Sequence, residues 1–366
     1  MYQLLYEGEL SNSGEQPRVL RLLCKLVDWA QVFPERFLLE GVEMSADPFA
    51  IGGFSDIYEG KHELGRVCVK VIRVVNKDDQ TQILTQSARE IILWAHMSHE
   101  NILPFYGVYA LDASTRKICL VSPFMENGSL RDFLRKHPTT HRLPLIQDVI
   151  EGLLYLHRSE IVHGDLKALN ILVSNDRRAL IADFGLSRLA LTTLVGSTEA
   201  NLGHTTNWSA PEVVVGWDGQ SSKPSKQSDI WSFGCLCYEV YTGKPPYYEY
   251  QGTYQVLAAL AKRSPPKRPP MEELACDQLD DTIWNLLTQG CWKSQPEERY
   301  TCEAVRDALV YNSPQRKHTS VSHWDEQKLA FWTAMKHRSG SYVDYDELGV
   351  ILNDFLESYE KATESS

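Results

Sequence analysis

Hydrophobic positions along this chain change period several times, and each change marks an element. Between Arg18 and Asp28, Val19, Leu22, Leu23 and Leu26 recur at helical spacing, while Arg18, Arg21, Lys25 and Asp28 take the opposite side and Pro17 stands just before. This predicts an amphipathic helix that packs onto a neighbouring domain. The β-branched run from Val67 to Ile72, interrupted only by Cys68 and Lys70, predicts a buried strand. Ile146, Val149, Ile150, Leu153, Leu154 and His157 form a helical stripe, and the segment from Ile230 to Val240 is apolar nearly all round, as in a helix buried on every side. After Ser313 the chain is polar through His323. Leu348, Ile351, Leu352, Phe355 and Tyr359 then mark a last helix with acidic residues at its start. The expected organisation is an N-terminal helical extension over 1–48, one domain over 49–312 and a C-terminal helical extension over 313–366.

Composition narrows the class. The chain has 366 residues, 43% of them hydrophobic, enough for a large core. A formal net charge of -11 with no dominant basic stripe disfavours nucleic acid as a partner. No apolar run approaches the length of a membrane span, and the first residues lack the basic and apolar regions of a secretory signal. The eight Cys are scattered without CxxC pairs, so reduced thiols and a cytoplasmic location, with the nucleus as alternative, are expected. Asp344, Asp346 and Gly349 suggest a calcium loop, but Leu348 and Phe355 stand where oxygen ligands are needed, so calcium is rejected.

The densest chemistry lies in His163-Gly164-Asp165-Leu166-Lys167-Ala168-Leu169-Asn170, followed thirteen residues later by Asp183-Phe184-Gly185 and then by Ala210-Pro211-Glu212. A carboxylate with a Lys two residues on and an Asn five on, then a second metal-ready carboxylate, is the set that phosphoryl transfer from ATP requires. On these residues the chain resembles the eukaryotic protein kinases. Trp208-Ser209-Ala210-Pro211-Glu212 and Asn101-Ile102-Leu103-Pro104-Phe105-Tyr106-Gly107 are similar to the tyrosine-kinase-like group, including compact kinases of mushroom-forming fungi.

The resemblance implies an α+β, two-lobed protein kinase-like fold: a five-stranded antiparallel sheet plus helix, then a mainly helical lobe. ATP and Mg²⁺ would lie in the cleft, and the partner would be a protein substrate, Ser or Thr more than Tyr; oligomeric state is left open. Ile51, Gly52, Gly53, Phe54, Ser55 and Ile57 would form the phosphate-covering loop, although Ala50 and Ser55 replace two of its three glycines. Lys70 would hold the α- and β-phosphates with Glu90 as its helical partner and Glu100 as a rival. Ser122, Phe124 and Met125 would form the adenine-binding hinge, with Ser122 as the small gatekeeper, Leu172 lining the same pocket, and Ser129 or Asp132 reaching the ribose. Asp165 would orient the substrate hydroxyl, Lys167 would neutralise the γ-phosphate, and Asn170 and Asp183 would hold the metal.

Supporting roles follow from the same resemblance. Glu212 and Arg299 would form a buried ion pair, Asp229 would anchor the catalytic-loop backbone, and Phe105, Trp94, Phe184 and His163 would stack into a spine. Thr206 would touch Asp165 and Lys167, which favours Ser/Thr substrates. Gly164 replaces the usual Arg before the catalytic Asp, so activity is expected not to depend on a loop phosphate at that pocket. Two alternatives stand beside the protein kinase: a pseudokinase scaffold, supported by the altered glycine loop and Gly164, and a small-molecule phosphotransferase.

Overall fold

The protein is described by a computed structural model covering residues 38–51, 55–63, 65–72, 91–110, 118–183, 206–216, 222–276 and 278–310. The helices expected at 18–28 and 348–359, the loop tip Gly52, Gly53 and Phe54, and both Glu90 and Phe184 lie outside the described residues.

Two short strands, β1 (Leu38–Leu39) and β2 (Glu43–Met44), lead into β3 (Ala50–Ile51) and the hairpin formed by β4 (Ser55–His62) and β5 (Gly65–Ile72). β6 (Gly107–Ala110) and β7 (Ile118–Pro123) complete one sheet in the order β1-β6-β7-β5-β4-β2, with β3 also on β4. Because β2 and β3 both pair antiparallel with β4, they act as two pieces of one strand, and the antiparallel part has the five positions expected. β1 adds a parallel edge against β6, with Leu38 opposite Val108. Both β1 and β2 precede residue 49.

Side chains on β5 alternate from Arg66 to Val71. Val67, Val69 and Val71 are buried, while Cys68 and Lys70 are partly exposed on the opposite face. Period-two alternation thus gives one face to the core and the other to the cleft.

The second lobe is mainly helical. Its helices are α1 (Leu130–Lys136), α2 (Leu143–Arg158), α3 (Pro211–Val214), α4 (Lys226–Thr242), α5 (Thr253–Ala261), α6 (Asp281–Leu286) and α7 (Cys302–Val310). α2 buries the stripe from Ile146 to His157. α4 is buried on every side from Ser228 to Thr242, as its unbroken apolar run predicts. It starts at a capping box, in which the Ser225 side chain accepts from the Ser228 backbone and Ser228 reciprocates. At Gly152 on α2, an added Cβ would stand 2.7 Å from the Asn101 carbonyl, so only glycine lets α2 press against that turn.

A small hairpin, β8 (Ile171–Val173) with β9 (Ala179–Ile181), lies against α2, and Ile181 exchanges backbone hydrogen bonds with Asn101 and Leu103. Deeper in the helical lobe, Arg299 forms a two-pronged ion pair with Glu212, at 2.6 Å to Oε1 and 2.8 Å to Oε2. Its guanidinium also lies 5.1 Å from the centre of the Trp231 ring.

Candidate active site

The β8–β9 hairpin is the device that assembles the site. Asn170 ends the 3-10 turn before β8 and Asp183 follows β9 two residues past Ile181. The Ile171–Ile181 register and a 2.9 Å hydrogen bond from the Ala182 N–H to the Asn170 carbonyl bring the two chain segments side by side. Residues 13 apart in sequence are neighbours because a short antiparallel pair folds them back. Asp183 has φ +58°, a left-handed conformation that Asp tolerates better than most residues.

Lys70 reaches Asp183 from the other lobe. It is held between Ile57 on β4 and Leu120 on β7, and its Nζ lies 2.5 Å from Asp183 Oδ1. Lys70 is 11% exposed and Asp183 39%, so the pair lies at the wall of an open cleft. Burial alone would raise the Asp183 carboxyl, but Lys70, and then His163 and Lys167, overcome it and hold it below the usual carboxylate range.

The catalytic loop is cross-braced. Lys167 Nζ donates to Asp165 Oδ2 at 2.7 Å, and Asn170 Nδ2 donates to the same oxygen at 2.9 Å and to the Asp165 carbonyl at 2.7 Å. Asp165 Oδ1 is buried and, among the described residues, has no hydrogen-bond partner. A buried acceptor without a donor is costly unless a donor arrives with a ligand. A substrate hydroxyl would be such a donor.

With its amide nitrogen on Asp165, Asn170 leaves its oxygen for another ligand. That oxygen and the Asp183 carboxylate are hard donors, few in number, which suits Mg²⁺ sharing its remaining positions with phosphate and water. Among the described residues there is no cluster of three or more His, Cys, Asp or Glu that could hold a metal ion.

Backbone anchors fix the loop from below. Asp229 on α4 accepts the His163 N–H and the Gly164 N–H, both at 2.8 Å, as expected for it. Gly164 has φ +77°, a conformation free to glycine and strained for the Arg usual in the kinases. Glu239, also on α4, accepts from the Ala168 N–H at 3.0 Å and from Trp208 Nε1 at 2.8 Å, joining the loop to the Ala-Pro-Glu block. Burial pushes the Glu239 carboxyl up. Thr206 is buried at the start of the turn that carries Trp208.

The cleft's upper wall carries the remaining candidates. Ser55 and Ile57 stand on β4; Ile51, on β3, is 71% exposed. Ser122, buried at the end of β7, lies opposite Cys68, whose thiol is pushed up to about 11, chiefly by burial. Phe124 follows β7, with Arg66 4.4 Å from its ring centre and Phe49 edge-on at 5.8 Å. Met125 is buried and its carbonyl accepts the Gly128 N–H, while Leu172 is half-buried on β8. Ser129 caps α1 and donates to Asp132 Oδ2 at 2.7 Å, so its hydroxyl already serves the helix.

Three outcomes differ in kind. Glu90 is outside the described residues, and Lys70's partner here is Asp183. The rival Glu100 instead meets Arg178 at 3.3 Å, and Arg178 is also gripped by Asp148. Of the spine, Trp94 and Phe105 touch with ring centres 5.0 Å apart, and buried His163 bonds the Ala182 carbonyl. The sequence reading missed Glu239, Asp148 and Arg178. A buried acid amid an apolar helix was the available signal for the first two.

Residues 46–309 match the family model described as protein tyrosine and serine/threonine kinase. Serine/threonine-protein kinase STY46 of Arabidopsis thaliana is 30% identical over 243 residues, 64% of this chain and 39% of that protein. Serine/threonine/tyrosine-protein kinase HT1 of the same plant is 31% identical over 264 residues, 69% of this chain and 61% of that protein. Tyrosine-protein kinase TXK of Homo sapiens is 35% identical over 220 residues, 58% of this chain and 38% of that protein. The chain thus spans between 38% and 61% of these relatives' lengths. Two lobes, a cleft bridged by Lys70 and Asp183, and a matching model over most of its length lead to one conclusion: the chain belongs to the protein tyrosine and serine/threonine kinase family.

Proposed function

We propose that this chain transfers the γ-phosphate of Mg-ATP to a protein hydroxyl, Ser or Thr in preference to Tyr. The observation that carries the reading is Asp165: braced on one oxygen by Lys167 and Asn170, it keeps the other buried and without a partner among the described residues, near the Lys70–Asp183 pair. Asp165 Oδ1 accepts the proton of the substrate hydroxyl and aims its oxygen. Lys70 holds the non-transferred phosphates, and Lys167 neutralises charge on the transferred group. Asn170 and Asp183 would hold the metal, and bound Mg²⁺ would supply charge neutralisation at the phosphates. The chain's task is positioning and charge compensation.

Lys167 two residues after Asp165, buried Thr206 before the Ala-Pro-Glu block and the serine/threonine relatives support the hydroxyl preference. The retained polar set argues against the pseudokinase reading. Among the described residues no helix is long and apolar enough to cross a membrane. Scattered free thiols support a reducing, cytoplasmic or nuclear setting.

The test is radiolabel transfer from γ-labelled ATP to a generic protein substrate or to the enzyme itself, with phosphoamino-acid analysis. Phosphoserine or phosphothreonine formed by the native protein and lost in Asp165→Asn supports the reading. No transfer by the native protein, despite nucleotide binding in a thermal-shift assay, favours the scaffold.

A further inference from the structure

Beneath the catalytic loop lies a line of three buried groups that phosphoryl transfer does not use. Cys302 Sγ, at the first residue of α7, lies 3.1 Å from His157 Nδ1 near the end of α2. His157 Nε2 lies 2.9 Å from Asp229 Oδ2. That carboxylate also accepts the His163 N–H and the Gly164 N–H. Cys302, His157 and Asp229 are respectively 2%, 7% and 0% exposed. Thiol, imidazole and carboxylate in series superficially match a nucleophilic triad. Burial rules that out: it pushes the Cys302 thiol far up, so sulfur keeps its proton, and no substrate could reach it.

We propose instead that Cys302 is a positioning residue for the catalytic loop, acting through His157 and Asp229. The direction of each hydrogen bond follows from chemistry. A carboxylate only accepts, so Nε2 of a neutral His157 must carry the ring proton and donate to Asp229. Nδ1 is then an acceptor, and among the described residues the group set against it is the Cys302 S–H. The thiol therefore reinforces the tautomer that the carboxylate demands, by supplying the donor that Nδ1 needs. Without it Nδ1 is a buried acceptor with no donor, and the ring is held from the Asp229 side alone.

Gly164 makes this support consequential. Glycine at φ +77° imposes little on the loop by itself, so the orientation of Asp165 depends on what holds the flanking N–H groups. Asp229 holds two of them, and Cys302 reaches it from helix α7 through one imidazole. The inference rests on the kinase reading for its catalytic readout, but not for its structural one.

Two measurements test it. In the native protein, ¹⁵N NMR of the His157 ring should show a protonated Nε2 and an unprotonated Nδ1, and Cys302→Ala should shift the Nδ1 resonance to that of an acceptor without a donor while Nε2 stays protonated. Finding Nδ1–H or a doubly protonated ring in the native protein overturns the proposal, whether or not any variant folds and whether or not phosphate is transferred. In single-turnover and steady-state assays, Cys302→Ala should lower kcat about three- to tenfold, the worth of one hydrogen bond, at unchanged KM for ATP. Cys302→Ser, which restores a donor, should recover most of that loss. An unchanged kcat in Cys302→Ala, or equal losses in the Ala and Ser variants, overturns it. A native protein with the expected tautomer but no transfer activity would instead count against the kinase reading alone.

Discussion

Two ion pairs in this molecule have the same ingredients and opposite settings. Arg299 and Glu212 are 0% and 5% exposed, joined by two parallel hydrogen bonds, with a third from Arg299 Nη1 to the Gln227 carbonyl and an aromatic ring against the guanidinium. Lys70 and Asp183 meet through one contact at a cleft wall, with Asp183 39% exposed. A planar fork locks one geometry, whereas an ammonium on a flexible stem can exchange partners. The first pair has nowhere else to go, so its value is to stability. The second can part to admit a phosphate and a metal, so its value is to turnover. Identical charges thus do different work according to what surrounds them.

The largest expected effect separates the two settings. Lys70→Met should reduce phosphate transfer by about a thousandfold, roughly 4 kcal/mol of transition-state stabilisation, with little change in Tm. Near-normal transfer, or a fall in Tm that accounts for the loss, would erase the distinction. Arg299→Met should do the reverse. It leaves Glu212 buried without its partner, and denaturant unfolding should show a loss of about 3 kcal/mol, while transfer by the remaining folded protein stays within a few-fold of native. A variant as stable as the native protein would mean that the fork contributes no net stability.

What the sequence allowed follows the same divide. The all-round apolar run from Ile230 to Val240 could only be a helix buried on every side, and α4 is that helix. Asp165, Lys167 and Asn170 were legible because they are close in sequence, and the structure joins them directly. Partner choice across the lobes was not legible. Lys70 meets Asp183, 113 residues away, and which acid it meets depends on how the two lobes are arranged. Glu100 was weighed for Lys70 and instead joins Arg178 and, through it, Asp148. His157 fitted an apolar stripe by spacing, and nothing local revealed that its two ring nitrogens face Asp229 and Cys302 from distant parts of the chain.

Smaller effects sharpen the contrast. Ser225→Ala removes the cap of α4, the helix that supplies both Asp229 and Glu239, and should lower stability by about 1 kcal/mol in thermal unfolding. If kcat fell tenfold with no loss of stability, the cap would belong with the cleft. The smallest effect is acid dependence. The folded Asp183 carboxyl lies below its unfolded value, so the Lys70–Asp183 pair's contribution is fully present above the ordinary Asp range near pH 4 and fades as pH falls through the depressed folded value. Unfolding measured at descending pH should give a flatter acid limb for Lys70→Met than for the native protein. Parallel limbs would show that the pair contributes nothing to folding.

The parallel strand at the sheet's margin has a practical corollary. Leu38–Leu39 shields β6 from outside the region shared with the kinase family, which begins at residue 46, and Leu39 and Val42 are buried beneath it. A polypeptide trimmed to the shared region would leave the outer edge of β6 at Val108 and Tyr109 uncovered, inviting a second molecule to zip onto it. Such a trimmed protein should self-associate on a sizing column where the longer one elutes normally, and the remedy would be to restore about eight residues of the chain's own leading segment.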